Sequence, residues 1–312
     1  MAHDTAWLFP GQGSQEVGMG SDLLGAHPVA RETLEEADDR LGFALSRLMM
    51  EGPKRELDDT INTQPALYVH SLALVRAAQA EGLLEQPGYA AGHSLGEYSA
   101  LTAAGALPFE EGLHLVRERG RLMKAAGEKA PGGMAAIIAL DDATVAQLCA
   151  EASAEGETVQ VANYNTPGQV VISGHGAAVG RAMQIARGAG ARKVVLLDVS
   201  IASHSPLMES VTREFTQIVT HTPFQNPAFP VIANVTAQPL RTPEAIREEL
   251  VSQLTSPVRW TDSMRYLLEQ DVTTFIEIGS GDVLTGLMKR IDRKVKRYNV
   301  SKWSDLQGEI DD

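Results

Sequence analysis

Residues 89–107, YAAGHSLGEYSALTAAGAL, set a serine between two glycines where a short apolar run gives way to a helix-like one. YAAGHS reads as a strand and LGEYSALTAAGA as the helix that follows it. G-x-S-x-G at such a junction describes a nucleophile elbow. Gly92 and Gly96 let strand and helix approach closely, and the tight turn lifts the Ser94 hydroxyl above the carboxyl end of a sheet. The Leu95 amide then points from a helix N-terminus, where negative charge is stabilised. The competing reading is a glycine-rich turn with an incidental serine.

The flanking sequence supplies the sheet that an elbow needs. TAWLF (5–9) reads as a buried strand ending in the turn-rich PGQGSQ, and TQPALYVHSLALVRAAQAEG as a helix. FEEGLHLVRERGRLMKAAGE is a further helix. Alternating strands and helices predict an α/β protein whose sheet is mostly parallel and covered on both faces. The middle changes character. GMAAIIAL, TVQVAN, QVVIS and RKVVLLDVS read as strands, with YNTPG as a turn and helices in DDATVAQLCAEASAEG and HGAAVGRAMQIARGAGA. That order, β-α-β-β-α-β, is the split pattern of a ferredoxin-like unit. We therefore expect a small domain at 129–199 inserted into a larger one formed by 1–128 and 200–312. Beyond it, FPVIANV and TTFIEI read as strands of the main sheet, and Thr242 as the N-cap of TPEAIREELVSQL.

A serine hydroxyl needs a base, and the chain has eight histidines. His93 adjoins Ser94, and neighbouring side chains diverge. His204, in DVSIASHSPLM, stands just past an apolar strand and before a Ser-Pro loop, but spacing alone does not choose it. The single cysteine, Cys149, sits among apolar residues at helical spacing and reads as a buried structural thiol. No metal-ligand spacing, dinucleotide fingerprint or P-loop appears, so no cofactor is expected. The net charge of −13 argues against nucleic acid, and no apolar run or leader points to a membrane, so a cytoplasmic protein is expected. The segment KRIDRKVKR, 289–297, carries a net +5, which leaves −18 elsewhere. It is either a solvated helix end with cations near the negative pole or a landing surface for an acidic partner or phosphorylated ligand.

Nine segments in order, FPGQGSQ, TQPAL, GHSLGEYSA, RGRLM, GGMAAI, NYNTPGQVVISG, SHSPLM, QLTSPVRW and EIGSGDVLTGL, resemble the bacterial malonyl-CoA:acyl carrier protein transacylases. The resemblance runs over residues 5–292 and implies an α/β-hydrolase-like large domain with the ferredoxin-like insert. It implies a nucleophile at Ser94, a general base at His204 and a backbone carbonyl at Gln253, rather than Asp198, orienting that base. It also implies oxyanion-hole amides at Gln12 and Leu95, and a carboxylate-binding guanidinium at Arg119.

Malonyl-CoA and acyl carrier protein are the implied partners, with CoA a substrate carrier rather than a cofactor, and fatty acid synthesis the implied pathway. Service to polyketide assembly, or hydrolysis of the acyl group, is the alternative. Gln64, Asn163 and Asn165 either line the cleft between the domains or serve as turn and structural hydrogen bonders. Lys289, Arg290 and Arg293 are candidates for docking the acidic carrier. Ile201-Ala202-Ser203 before the base departs from the bulky Phe of many malonyl-selective synthase domains. Room for an α-methyl group puts exclusive malonyl selection in question.

Overall fold

The computed structural model describes residues 2–199 and 201–307. Its strands run in chain order β1 (Ala2–Phe9), β2 (Pro87–Gly92), β3 (Gly132–Ile138), β4 (Val159–Thr166) and β5 (Gln169–His175). They continue as β6 (Lys193–Leu196), β7 (Val231–Ile232), β8 (Pro239–Leu240), β9 (Thr274–Ile278) and β10 (Lys296–Val300). The side chains of β1 alternate between two apolar clusters, Trp7 and Phe9 entering one, Ala6 and Leu8 the other. A strand buried on both faces belongs inside a helix-covered sheet. Accordingly β1 lies between β9 and β2 in the order β10-β9-β1-β2-β7-β8. All these pairings are parallel except the short β7–β8 contact. The Thr60–Ala80 helix, buried along most of its length, packs against the Phe109–Lys129 helix on one side of this sheet.

Strands β3 to β6 form a separate antiparallel sheet in the order β4-β5-β3-β6. The helices Asp142–Ala152 and Gly176–Gly188 cover one face, closing a core that includes Ile137, Leu148, Ile172 and Val179. The β-α-β-β-α-β order expected for this stretch is present. Cys149 lies buried in the core, where lack of solvent pushes its thiol up to about 12. The fold is thus mixed α/β, with one parallel-rich sheet and one antiparallel sheet.

Several boundaries differ from the sequence reading. YNTPG is not a turn throughout: β4 continues to Thr166 because Tyr164 and Thr166 still pair with β5, leaving only Pro167 and Gly168 to turn. RKVVLLDVS contributes only Lys193–Leu196, and Ser200 lies outside the described residues. The segment 289–297 is a helix end only over residues 289–291. Arg293 follows in a loop, and Lys296 and Arg297 open β10, an edge strand whose charges concealed it. Thr242 does cap its helix, accepting from the Ala245 amide at 3.3 Å. No helix among the described residues is long and apolar enough to cross a membrane.

Candidate active site

At the end of β2 the backbone turns so sharply that Ser94 adopts a left-handed φ of 53°. A Cβ on Gly92 would lie 1.9 Å from the backbone of Gly96, and one on Gly96 would lie 2.0 Å from the Phe9 carbonyl. Both positions therefore require glycine. The strain of a non-glycine residue in this region, about 1–3 kcal/mol, persists only where neighbours enforce it. Asn234, just beyond β7, is that neighbour. Its Oδ1 accepts from the Ser94 amide at 2.7 Å, while its Nδ2 donates to the Gly92 carbonyl at 2.7 Å.

His204 sits in the loop after β6, also with a left-handed φ, of 57°. Its Nε2 lies 2.8 Å from Ser94 Oγ. Its Nδ1 lies 2.8 Å from the Gln253 carbonyl and 3.2 Å from that of Ser256. Two carbonyl acceptors require Nδ1 to carry the proton, which leaves Nε2 with a lone pair aimed at the hydroxyl. Asp198 is exposed and takes no part. Burial, reinforced by the nearby Arg119 cation, pushes His204 down to about 3, so the imidazole is neutral near neutrality.

Arg119, from the middle of the Phe109–Lys129 helix, is 2% exposed. Its hydrogen-bond partners are neutral groups: Gln64 Oε1 at 2.8 Å, Ser94 Oγ at 3.1 Å and Gln253 Oε1 at 2.8 Å. Its Nε has no partner among the described residues, and burial pulls its pKa below the ordinary value. A buried guanidinium whose direct hydrogen bonds all go to neutral groups, with Glu97 acting on it only through space, is poised for an anion, since a paired carboxylate would recover the lost hydration. The PGQG loop meets the elbow closely, a Cβ on Gly11 lying 2.3 Å from the His93 carbonyl. Leu95, on the other side of the elbow, has an amide that opens the Gly96–Ala103 helix where no intrahelical acceptor exists. Thr60 Oγ1 donates to Gln12 Oε1 at 2.9 Å and steadies the loop.

The sequence matches the acyl transferase domain family over residues 6–302. Among curated relatives, the malonyl CoA-acyl carrier protein transacylase of Escherichia coli K12 is 46% identical over 286 residues, covering 92% of each chain. The enzyme of the same name from Bacillus subtilis is 43% identical over 296 residues, covering 95% of this chain and 93% of its own. The chain belongs to the bacterial malonyl-CoA:acyl carrier protein transacylases. Solved structures agree. The transacylase of Xanthomonas oryzae superposes with a TM-score of 0.94 at 42% identity, covering 99% of this chain and 98% of its own. A malonyl-transacylase captured with a type II polyketide acyl carrier protein gives 0.94 at 43% identity and 97% coverage of both chains.

The remaining candidates of this transacylase fall into three groups. Gln64 is fully buried, donates to Thr60 Oγ1 and Met123 Sδ, and accepts from Arg119, so that it helps orient the guanidinium. Asn163 is buried in a bridge joining β4 to Val258, and Asn165 Oδ1 meets His93 Nε2 at 2.9 Å. Lys289, Arg290 and Arg293 are exposed, although Arg290 also donates to Gln169 Oε1 at 2.8 Å. No cluster suited to a metal ion occurs among the described residues.

Sequence reasoning missed the layer beneath the elbow. Glu97, fully buried, accepts from the Asn234 amide at 3.0 Å and from Gln253 Nε2. Glu249 accepts from the Val235 amide at 2.7 Å. Burial raises both, Glu97 well above the usual range and Glu249 to about 7. Glu97 could have been suspected as the one charged residue within the Gly96–Ala103 helix. Asn234, 137 residues beyond Glu97, and Glu249, further still, gave no local signal.

Proposed function

We propose that this chain transfers a malonyl group from malonyl-CoA to the phosphopantetheine thiol of an acyl carrier protein through a malonyl ester on Ser94, in fatty acid synthesis. The observation that carries the reading is the shared hydroxyl: His204 Nε2 and Arg119 Nη2 both meet Ser94 Oγ, at 2.8 and 3.1 Å. His204 accepts the serine proton as Oγ attacks the thioester carbonyl. The Gln12 and Leu95 amides hold the oxyanion, a contribution of about 3 kcal/mol for each such donor. Collapse expels the CoA thiolate, which takes the proton back from His204. The carrier thiol then gives its proton to His204, attacks the ester and releases Ser94, which recovers the proton. Arg119 pairs with the free malonyl carboxylate, which distinguishes malonyl from acetyl. We assign the α/β-hydrolase-like frame to 1–128 and 200–312, and the ferredoxin-like insert to 129–199. Gln12, Leu95, Arg119, Gln64, Asn163 and Asn165 line or support the acyl site, with Lys289, Arg290 and Arg293 docking the carrier.

Intact-mass measurement after mixing with malonyl-, methylmalonyl- and acetyl-CoA tests the reading. Wild type should gain a stable malonyl increment, and Ser94→Ala none. Arg119→Ala should lose its preference for malonyl over acetyl by about three orders of magnitude in kcat/KM, the size expected for an unpaired buried carboxylate. Free malonate released without carrier as fast as transfer with it would instead mark a hydrolase.

A further inference from the structure

His204 can relay protons only while two loops hold register. One carries the imidazole; the other carries the Gln253 and Ser256 carbonyls that accept from Nδ1. Regular structure ends at Gln253, the last residue of the Pro243–Gln253 helix, and Ser256 lies beyond it, while His204 occupies a left-handed conformation, φ 57°, that its own side chain disfavours. Something outside both loops must hold them together.

Gln160, on β4 of the antiparallel sheet, fits that description. Its Nε2 donates to the His204 carbonyl at 2.8 Å and to the Thr255 carbonyl at 2.9 Å. A primary amide nitrogen has two N–H groups, and each takes one loop. Thr255 lies between Gln253 and Ser256, so the second bond fixes the segment that presents both acceptors. β4 is in turn anchored to the parallel-sheet unit: the Tyr164 amide donates to the Val258 carbonyl at 2.9 Å, and the Val258 amide to the Ala162 carbonyl at 2.8 Å.

We propose that Gln160 is a positioning residue: its side-chain amide staples the loop of the catalytic base to the loop of that base's acceptors, and ties both to the antiparallel unit. The staple acts through His204 and touches no substrate. It rests on His204 being the base, and it makes the placement of the small unit a determinant of proton-transfer geometry.

The test compares wild type with Gln160→Leu, Gln160→Glu and His204→Ala, using malonyl-CoA and purified acyl carrier protein. Gln160→Leu keeps bulk but donates nothing. Its kcat should fall about 10- to 100-fold, the scale of a small misplacement at a reacting centre. KM for malonyl-CoA should stay within about twofold and the melting temperature within about 2 °C, because a half-buried side chain is removed without opening the core. In ¹⁵N-histidine-labelled protein, the His204 Nδ1 proton should exchange faster with solvent.

Gln160→Glu donates to a carbonyl only when its carboxyl is protonated. Its rate relative to wild type should therefore rise several-fold from about pH 8.5 to about pH 5.5. The ratio cancels the titrations that both proteins share, those of His204, His93, Glu97 and Glu249. An unchanged kcat in Gln160→Leu, a loss that merely follows the melting temperature, or a flat Gln160→Glu ratio overturns the proposal. If Gln160→Leu does not fold, the Gln160→Glu ratio decides alone. His204→Ala separates the two levels: retained labelling there overturns the assignment of the base itself, and the staple with it.

Discussion

At the level of single residues the site is organised by what each side chain is denied. His204 is denied water, and burial together with Arg119 pushes it down to about 3 from 6.5. A base works in its neutral form, which persists above its pKa. The acylation rate should therefore stay level from about pH 8 to about pH 5 and fall only below that, whereas an ordinary imidazole would lose half its base near 6.5. Stopped-flow acylation across that range checks this; an acid limb centred near 6.5 contradicts it. Glu249 is raised, chiefly by burial, from 4.5 to about 7. A raised folded-state pKa gives stability that is full below 4.5 and lost as pH rises through about 7. The wild-type melting temperature should accordingly decline between about pH 4.5 and about pH 7 and level off above that. Glu249→Gln, which keeps an oxygen for the Val235 amide, should flatten that decline.

At the level of elements the elbow is a steric statement made by two glycines. Gly96→Ala would drive a methyl group to within 2.0 Å of the Phe9 carbonyl, a backbone atom of β1 that cannot turn aside. It should destabilise by about 3 kcal/mol or more and abolish acylation, read as a lower urea midpoint and absent malonyl labelling. Gly180, inside the Gly176–Gly188 helix with nothing within 4 Å of an added Cβ, is the control. Gly180→Ala should stabilise by about 0.5–1 kcal/mol. The same contrast explains what could be read in advance. The elbow is legible because its glycines, strand and helix are adjacent in sequence, as are the alternating residues of β1 and the Thr242 cap. β10 was hidden because edge strands carry charge, and Lys296 and Arg297 look like the tail of the preceding helix. Asn234 and Gln160 act across gaps of 44 residues or more, and Glu249 reaches back 14 residues to the Val235 amide; no local pattern announces such bonds. His204 illustrates the middle ground: spacing left several histidines open, and only the ordered family segments selected the one that lies 110 residues from its serine.

At the level of the whole molecule, charge is segregated. The chain carries −13, yet 289–297 carries +5, so this surface attracts what the rest repels. An acyl carrier protein is acidic and must dock and then depart in every cycle, which favours screened attraction over tight apolar contact. The structure sorts the basic residues by availability. Arg297 donates to the Asp292 and Val295 carbonyls and serves its own loop, while Arg290 is partly engaged with Gln169. Lys289 and Arg293 are exposed and have no hydrogen bond or ion pair to another side chain among the described residues. Reversing Lys289, Arg290 and Arg293 to Glu should raise KM for carrier protein about tenfold or more, with malonyl labelling from malonyl-CoA unchanged. The Lys289–Arg293 double reversal, which leaves the Gln169 contact intact, should retain most of that effect. Because exposed charges are screened within about 8 Å at physiological ionic strength, the difference between variant and wild type should shrink as salt is added. A KM for carrier that does not move in the triple variant, or a shift that salt leaves untouched, would place carrier docking on another face.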